Sequence, residues 1–128
     1  MRKTLTREWS IVVGGLPAWK TRRVIAHVEA NLSKRIPVQE LARLVGLSTS
    51  HFCRAFKCTF GESPRDYVLR RRIDVAQGLM LTTSAPLSSI AVGCGMYDQP
   101  HFTRSFHRIV GETPYTWRRT RRGSVKAD

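Results

Sequence analysis

The chain has 128 residues, 41% of them hydrophobic, with 22 Lys and Arg against 9 Asp and Glu. This length allows one domain or two very small ones, and the apolar fraction excludes a wholly disordered chain. A formal net charge of +13 repels itself in a compact state. The charge therefore indicates a polyanionic partner, which is nucleic acid or, less often, an acidic membrane surface. The alternative is a basic surface kept for solubility.

The cysteines argue against covalent or metal cross-links. Cys53, Cys58 and Cys94 are odd in number, and no two of them have a CxxC spacing. Neither a disulfide framework nor a zinc site is predicted, and no cofactor is expected. The short apolar run at residues 11–13 is the one strand candidate, and it is too short for a signal-peptide core or a membrane span. The sequence thus predicts a cytoplasmic protein.

The predicted elements begin after residues 1–17, which we expect to be a flexible segment or the remnant of a linker. Apolar residues at helical spacing predict a first helix over about residues 18–32. They are Val24, Ile25, Val28 and Leu32. In a second helix, Pro37 suits the start and Gly46 a left-handed stop. Its apolar face carries Val38, Leu41, Ala42 and Val45.

A third helix follows the second after a tight turn. Ser48 or Thr49 is its predicted N-cap, and Gly61 is its predicted end. The side chains expected to be buried on it are Phe52, Phe56 and Phe60. Helix, tight turn and helix are the pattern of a helix-turn-helix, so we predict a first helix-turn-helix unit over residues 18–62.

A long connecting helix is predicted next, over about residues 64–81 within a segment 63–83. Ser63 is its predicted N-cap and Pro64 its first helical residue. Its apolar stripe consists of Leu69, Ile73, Ala76 and Met80.

The first helix pair is then repeated. Residues 86–96 match residues 37–47, and His101, Phe102, Arg104 and Phe106 match His51, Phe52, Arg54 and Phe56. The second copy has one extra residue between its turn glycine and its histidine. Asp98 is the predicted cap of its second helix, which is expected to bury Phe102, Phe106 and Val110 and to end at Gly111. This predicts a second helix-turn-helix unit over residues 84–119.

A last short helix is predicted to start near Pro114 and to bury Trp117. Residues 120–128 are predicted to be a basic tail. The run of residues 118–122 is expected to be frayed, and the alternative is that it attracts phosphate weakly. The predicted fold class is therefore all-α, with about seven helices in two similar bundles that the long helix joins.

The chain resembles the DNA-binding domain of the AraC/XylS family of bacterial transcription regulators over roughly residues 18–119. The second copy carries the family's signature region: Ile90, Ala91, Gly95, Asp98, Gln99, His101, Phe102, Arg104, Phe106, Gly111 and Pro114. Met96 stands where the family usually has Phe, and Trp117 where it usually has Tyr. Pro100 replaces a residue that is polar in many members, which weakens the case for base reading at that position.

The resemblance implies an activator or repressor that binds double-stranded DNA and positions RNA polymerase, with no catalytic activity and with localisation at the nucleoid. It also implies a DNA-binding module that acts as a monomer. Many members carry a separate ligand-binding or dimerisation domain ahead of this module. Residues 1–17 are too few to build one, so the chain is either a stand-alone regulator or a fragment of a longer protein.

Candidate DNA contacts follow from the faces of the two second helices. Near the start of a recognition helix, side chains opposite the buried face reach base edges. The predicted base-reading residues are Ser50, Cys53, Arg54, Gln99, His101, Thr103 and Arg104. The predicted phosphate contacts are Thr49, His51, Lys57, Arg65, Arg72, His107 and Arg118. For Arg54 and Arg104, the alternative is a structural ion pair within each bundle.

Two other functions compete with sequence-specific regulation. One is an architectural protein that binds DNA without sequence preference, which differs in its ratio of specific to nonspecific affinity. The other is a fragment of a DNA-repair methyltransferase, which needs a reactive cysteine in a Pro-Cys-His-like context. The sequence contains no such context.

Overall fold

The computed structural model describes residues 14–126, with side chains up to Arg122. Within these residues there are seven α-helices and no strand, which confirms the predicted all-α class. The helices are α1 (Ala18–Ala30), α2 (Val38–Leu44), α3 (Thr49–Phe60), α4 (Pro64–Thr82), α5 (Leu87–Gly93), α6 (Gln99–Val110) and α7 (Pro114–Lys126). The strand candidate at residues 11–13 lies outside the described part.

The helices form two compact units. Unit 1 contains α1, α2, α3 and the start of α4 up to Val68. Unit 2 contains the rest of α4 from Leu69, together with α5, α6 and α7, and it also includes the segment Leu32–Lys34. Each unit thus holds one helix-turn-helix, formed by α2 and α3 in unit 1 and by α5 and α6 in unit 2.

The core of unit 1 is built on the aromatic face of α3. Phe52 and Phe56 are fully buried, and each contributes about 1.5–3 kcal/mol relative to an exposed side chain. Phe60 is only half-buried, although the sequence predicts burial, and its ring stacks on Phe56 at 4.1 Å between centroids. The His27 Nε2 atom of α1 lies 2.5 Å from the Glu40 Oε2 atom of α2, so this carboxylate already has a partner.

The core of unit 2 repeats this arrangement on α6. Phe102 and Phe106 are fully buried, and Trp117 of α7 meets Phe106 edge-on at 5.8 Å. Three members of the predicted α4 stripe are buried in the same cluster, namely Ile73, Ala76 and Met80. Leu69 and Val110 pack against the cluster but remain partly exposed, because they lie at its edge.

The two tight turns have the predicted left-handed glycines. Gly46 has a φ of 71° and Gly95 a φ of 86°, a region that costs other residues about 1–2 kcal/mol. After each glycine, the next N–H bonds back to a helix carbonyl. Leu47 N donates to Ala42 O, and Met96 N donates to Ala91 O, both at 3.0 Å. The turns of both helix-turn-helix units therefore contain the same backbone hydrogen bond.

The last helix is longer than the sequence predicts. α7 continues to Lys126, so the expectation of a short helix with a frayed tail is wrong up to that residue. Basic side chains of its first nine residues make contacts that the sequence did not predict. The Arg118 guanidinium donates to three carbonyl oxygens of unit 2, and Arg122 donates to two of the same carbonyls. Arg121 lies over the Trp117 ring at 4.5 Å.

Candidate nucleic-acid interface

Both second helices begin with a side-chain cap at the predicted place. Ser48 Oγ accepts from His51 N at 3.1 Å, so Ser48 rather than Thr49 caps α3. Asp98 Oδ1 accepts from His101 N at 2.8 Å at the start of α6. A cap of this kind contributes about 1 kcal/mol of stability. The caps therefore stabilise the first turns of α3 and α6, where most of the predicted base-reading residues lie.

The face of α3 opposite its aromatic residues is exposed. It presents Ser50, His51, Arg54 and Lys57 to solvent, while Cys53 and Thr49 are half-buried. Phe52, Ala55 and Phe56 occupy the buried side. The structure thus brings all six predicted contact residues of α3 to one accessible surface, within the first nine residues of the helix.

The face of α6 follows the same plan with two differences. Gln99, Arg104 and His107 are exposed, but Thr103 and His101 are half-buried. Pro100 is also exposed, and as the second helical residue it loses no backbone hydrogen bond. The polar surface available at the start of α6 is accordingly smaller than that of α3.

The two arginines predicted as the main base-reading residues lie at matching places in the repeat. Both Arg54 and Arg104 are exposed. Neither takes part in an ion pair or hydrogen bond among residues 14–126, so the alternative of a structural ion pair receives no support there. A guanidinium without a protein partner can donate hydrogen bonds from all of its coplanar N–H groups to a ligand.

The predicted phosphate contacts divide into two groups. Arg65 is exposed near the start of α4. Arg72, by contrast, donates from Nε to Leu32 O at 3.0 Å and from Nη2 to Lys34 O at 2.5 Å. Burial lowers the pKa of Arg72, and for Arg118 burial and then the charge of Arg122 act in the same direction. These two guanidinium groups have structural partners that sequence reasoning missed, and their phosphate role stays a prediction.

Sequence reasoning also missed polar residues of α2. A shallow cleft of about 450 Å³ lies at the turn between α2 and α3, and its lining includes Gln39, Arg43, Ser48 and Thr49. Donor side chains beside a helix N-terminus suit an anion. The sequence feature that could have identified them is the helical spacing of these polar residues on α2. The corresponding residue to Arg43 in the second copy is Val92, which is 64% exposed, so α5 offers no cation at that place.

A buried thiol and the placement of metal-ligating residue types complete the description of the site. Burial raises the pKa of the Cys94 thiol, with the nearby Arg72 charge acting in the opposite direction, and the thiol therefore stays protonated at neutral pH. In the part of the chain that the structure describes, no group of His, Cys, Asp and Glu could hold a metal ion. The same residues contain no helix with the length and apolar character needed to cross a membrane.

Comparisons with known proteins agree with this geometry. A family model described as a helix-turn-helix domain matches residues 41–120. The probable transcriptional regulator LumQ of Photobacterium leiognathi is 39% identical over 88 residues, which are 69% of this chain and 36% of that protein. The virulence regulon transcriptional activator VirF of Yersinia enterocolitica is 31% identical over 99 residues, which are 77% of this chain and 36% of that protein.

Solved structures extend the likeness to the fold. An AraC-type transcriptional regulator from Chromobacterium violaceum is 29% identical with a TM-score of 0.74, covering 80% of this chain and 91% of that one. The DNA-binding domain of AdpA, solved with a target DNA, is 26% identical with a TM-score of 0.74, covering 81% of this chain and 96% of that one. The chain spans about a third of the length of the first curated relatives. It belongs to the AraC-type family of helix-turn-helix transcription regulators.

Proposed function

We propose that this chain is a sequence-specific module of a transcription regulator that binds double-stranded DNA through α3 and α6. Each helix enters a major-groove segment, and the two segments are adjacent on one duplex. Unit 1 and unit 2 thus read separate halves of one site. The module binds as a monomer and carries out no catalysis.

The observation that carries the proposal is the matched pair of exposed arginines. Arg54 and Arg104 lie at the same place on two capped helices, and each helix buries its opposite face in aromatic residues. The major groove admits an α-helix, and an arginine donates bidentately to guanine O6 and N7. Gln99, exposed at the start of α6, suits adenine N6 and N7 in the same way.

The surrounding charge supplies affinity. Lys57 and Arg65 are exposed, and Arg43 lines the cleft at the turn of unit 1. Neutralised phosphates release counterions, so affinity from such contacts falls steeply with salt and carries no sequence information. In this proposal the salt-dependent part of binding comes from these cations, while specificity comes from the two arginines and Gln99.

The expected site is long and asymmetric. Successive major-groove segments on one face of the duplex are about 34 Å or about 10 bp apart. A site of about 15–20 bp follows if both second helices are engaged. Contact with RNA polymerase at a promoter belongs to the same proposal and is supported by relatives named as activators.

Selection of bound sequences from a random duplex pool tests the proposal directly. We expect one enriched motif with two conserved blocks about 10 bp apart. Footprinting on the selected site should show protection at both blocks. A single protected block would mean that only one unit engages the groove.

Removing either arginine is expected to relax specificity at one base pair only. In Arg54→Ala, preference for guanine at one position of one block falls by about 1–3 kcal/mol, or between about fivefold and about 150-fold. Arg104→Ala gives the same loss in the other block. Competition between the selected site and single-base variants measures both.

The matched controls are Arg23→Ala in unit 1 and Arg119→Ala in unit 2, which remove exposed arginines on α1 and α7. They change the net charge equally but leave the base preferences intact. If all four variants lower affinity evenly across sequences, the arginines of α3 and α6 contact phosphate instead.

Lys57→Gln is expected to behave differently from the arginine variants. Loss of one phosphate contact weakens all duplexes alike and lowers the slope of log affinity against log salt by about 0.9. Titrations at several salt concentrations with the selected site and an unrelated duplex measure the slope. An unchanged slope would place Lys57 outside the interface.

The second candidate function is architectural, nonspecific DNA binding, which the net charge of +13 favours. It predicts equal affinity for the selected and unrelated duplexes at fixed salt. Specific binders instead discriminate by about 10³-fold or more. The ratio of these two affinities therefore separates the candidates.

A further inference from the structure

In the candidate interface, the His101 ring has a buried nitrogen atom without a hydrogen-bond partner. His101 is the third residue of α6, and its backbone N–H donates to the Asp98 cap. The ring is half-buried, and its Nδ1 atom is fully buried with no hydrogen-bond partner in the described chain. The matching histidine of the first copy, His51, is exposed. The two repeat positions therefore give the same residue different surroundings.

The buried Nδ1 restricts where the ring carries its proton. A neutral imidazole has one N–H donor and one acceptor nitrogen. A proton on Nδ1 would leave a buried N–H without an acceptor, and orphaned buried N–H groups are rarer than acceptors with an unused lone pair. The favoured form of the ring therefore has a bare Nδ1 inside and the proton on Nε2.

The remaining nitrogen is the one left for a ligand. Nε2 makes no hydrogen bond within residues 14–126, and the exposed part of the half-buried ring contains it. It lies one turn before Arg104 on the same helix. With Nδ1 inside, the N–H on Nε2 is the donor that remains on the accessible side of the ring.

We propose that His101 is a preorganised hydrogen-bond donor, which presents Nε2–H to an acceptor atom of the bound duplex. The acceptor is a phosphate oxygen or a base-edge acceptor such as purine N7, both of which accept from N–H. His51 lacks the constraint and can offer either ring nitrogen. This inference rests on the proposed function, because it assigns the chemistry of one contact in that interface.

The first test needs no DNA. Long-range ¹H–¹⁵N correlation spectra of the free chain distinguish a protonated from a bare nitrogen at each ring position. For His101 we expect a single tautomer with the proton on Nε2, and for His51 a mixture. A proton on Nδ1 of His101, or a mixture like that of His51, would overturn the proposal whatever the chain binds.

The second test replaces the ring by amides of different reach. The amide nitrogen of glutamine falls near the Nε2 position, whereas that of asparagine falls near Nδ1. His101→Gln should therefore keep the affinity of the full chain for its selected duplex within about twofold, and His101→Asn should lose about tenfold, the size of one hydrogen bond. His51→Gln and His51→Asn form the matched pair and should not differ.

The pattern of the loss identifies the acceptor. An even loss across duplexes indicates a phosphate oxygen, while a loss confined to variants of one base pair indicates a base edge. Equal affinities of the His101 amide variants, with both folded by circular dichroism, would overturn the donor role even though the wild-type chain binds. If the wild-type chain selects no sequence at all, the proposed function fails, and the tautomer result still stands by itself.

Discussion

Gly95→Ala is expected to destabilise unit 2 by about 3 kcal/mol or more. An added Cβ would lie 2.2 Å from Leu32 O and 2.8 Å from Arg72 Nε, distances that no packed structure tolerates. The φ of 86° adds about 1–2 kcal/mol of backbone strain for a residue with a side chain. Relief would need movement of the Arg72 side chain, whose guanidinium donates to the carbonyls of Leu32 and Lys34. Denaturant unfolding followed by circular dichroism measures the loss.

The repeat provides an internal control for this substitution. Gly46 has a similar φ of 71°, but an added Cβ there meets nothing within 4 Å. Gly46→Ala should therefore cost only the backbone strain of about 1–2 kcal/mol. The difference between the two variants isolates the steric contact. Equal losses would show that no close approach limits the second turn.

Arg118→Ala should lower the free energy of unfolding of unit 2 by about 2–4 kcal/mol. The guanidinium donates to Met80 O at 3.0 Å, Ala85 O at 2.7 Å and Thr83 O at 2.6 Å. These carbonyls lie at and just beyond the end of α4, where helix carbonyls lack intrahelical donors. Hydrogen bonds from a charged donor contribute about 1.5–3 kcal/mol each, and Arg122 compensates in part because it shares two of the acceptors. Thermal and denaturant unfolding report the change.

Arg119→Ala is the matched control on the next residue. Arg119 is exposed, with its guanidinium carbon 5.8 Å from the Tyr115 ring centroid, so its removal should change stability by less than about 0.5 kcal/mol. Arg118→Lys keeps the charge but loses the fork of donors, and should behave more like the alanine variant. A lysine variant as stable as the wild type would show that charge alone, and not the three-carbonyl geometry, holds the end of α4.

Local rules explain why so much of the fold could be predicted. The caps Ser48, Asp98 and Ser63 and the stops at Gly46 and Gly95 all act within a few residues along the chain. The aromatic spacing of α3 and α6 likewise marks the buried face without knowledge of its partners. The internal repeat then transferred each assignment from one copy to the other.

Long-range contacts explain what could not be predicted. Arg72 and Arg118 find their acceptors on backbone carbonyls 33 to 40 residues away, and a carbonyl leaves no mark in the sequence. The sequence alone does not distinguish these two arginines from Arg65, which is exposed. The length of α7 was missed for the same reason, since its contacts with the end of α4 depend on tertiary structure.

Among the candidate contacts, too, some features could be predicted from the sequence and others could not. Exposure of Arg54, Arg104 and Gln99 follows from helical spacing and was predictable. The half-burial of His101 was not, because it depends on which atoms of the folded unit pack beside the start of α6. Whether a given cation contacts a base or a phosphate depends on the duplex, and the affinities for single-base variants distinguish the two.

The unlike starts of α3 and α6 have a consequence for transcription. α3 exposes Ser50 where α6 exposes Pro100, so the two halves of the proposed duplex site differ, and a bound chain has an upstream and a downstream end. A symmetric dimer on a palindrome has no such polarity. In the proposed function, inverting the site would turn the bound chain around without changing its affinity, and a contact with RNA polymerase that depends on this orientation would be lost.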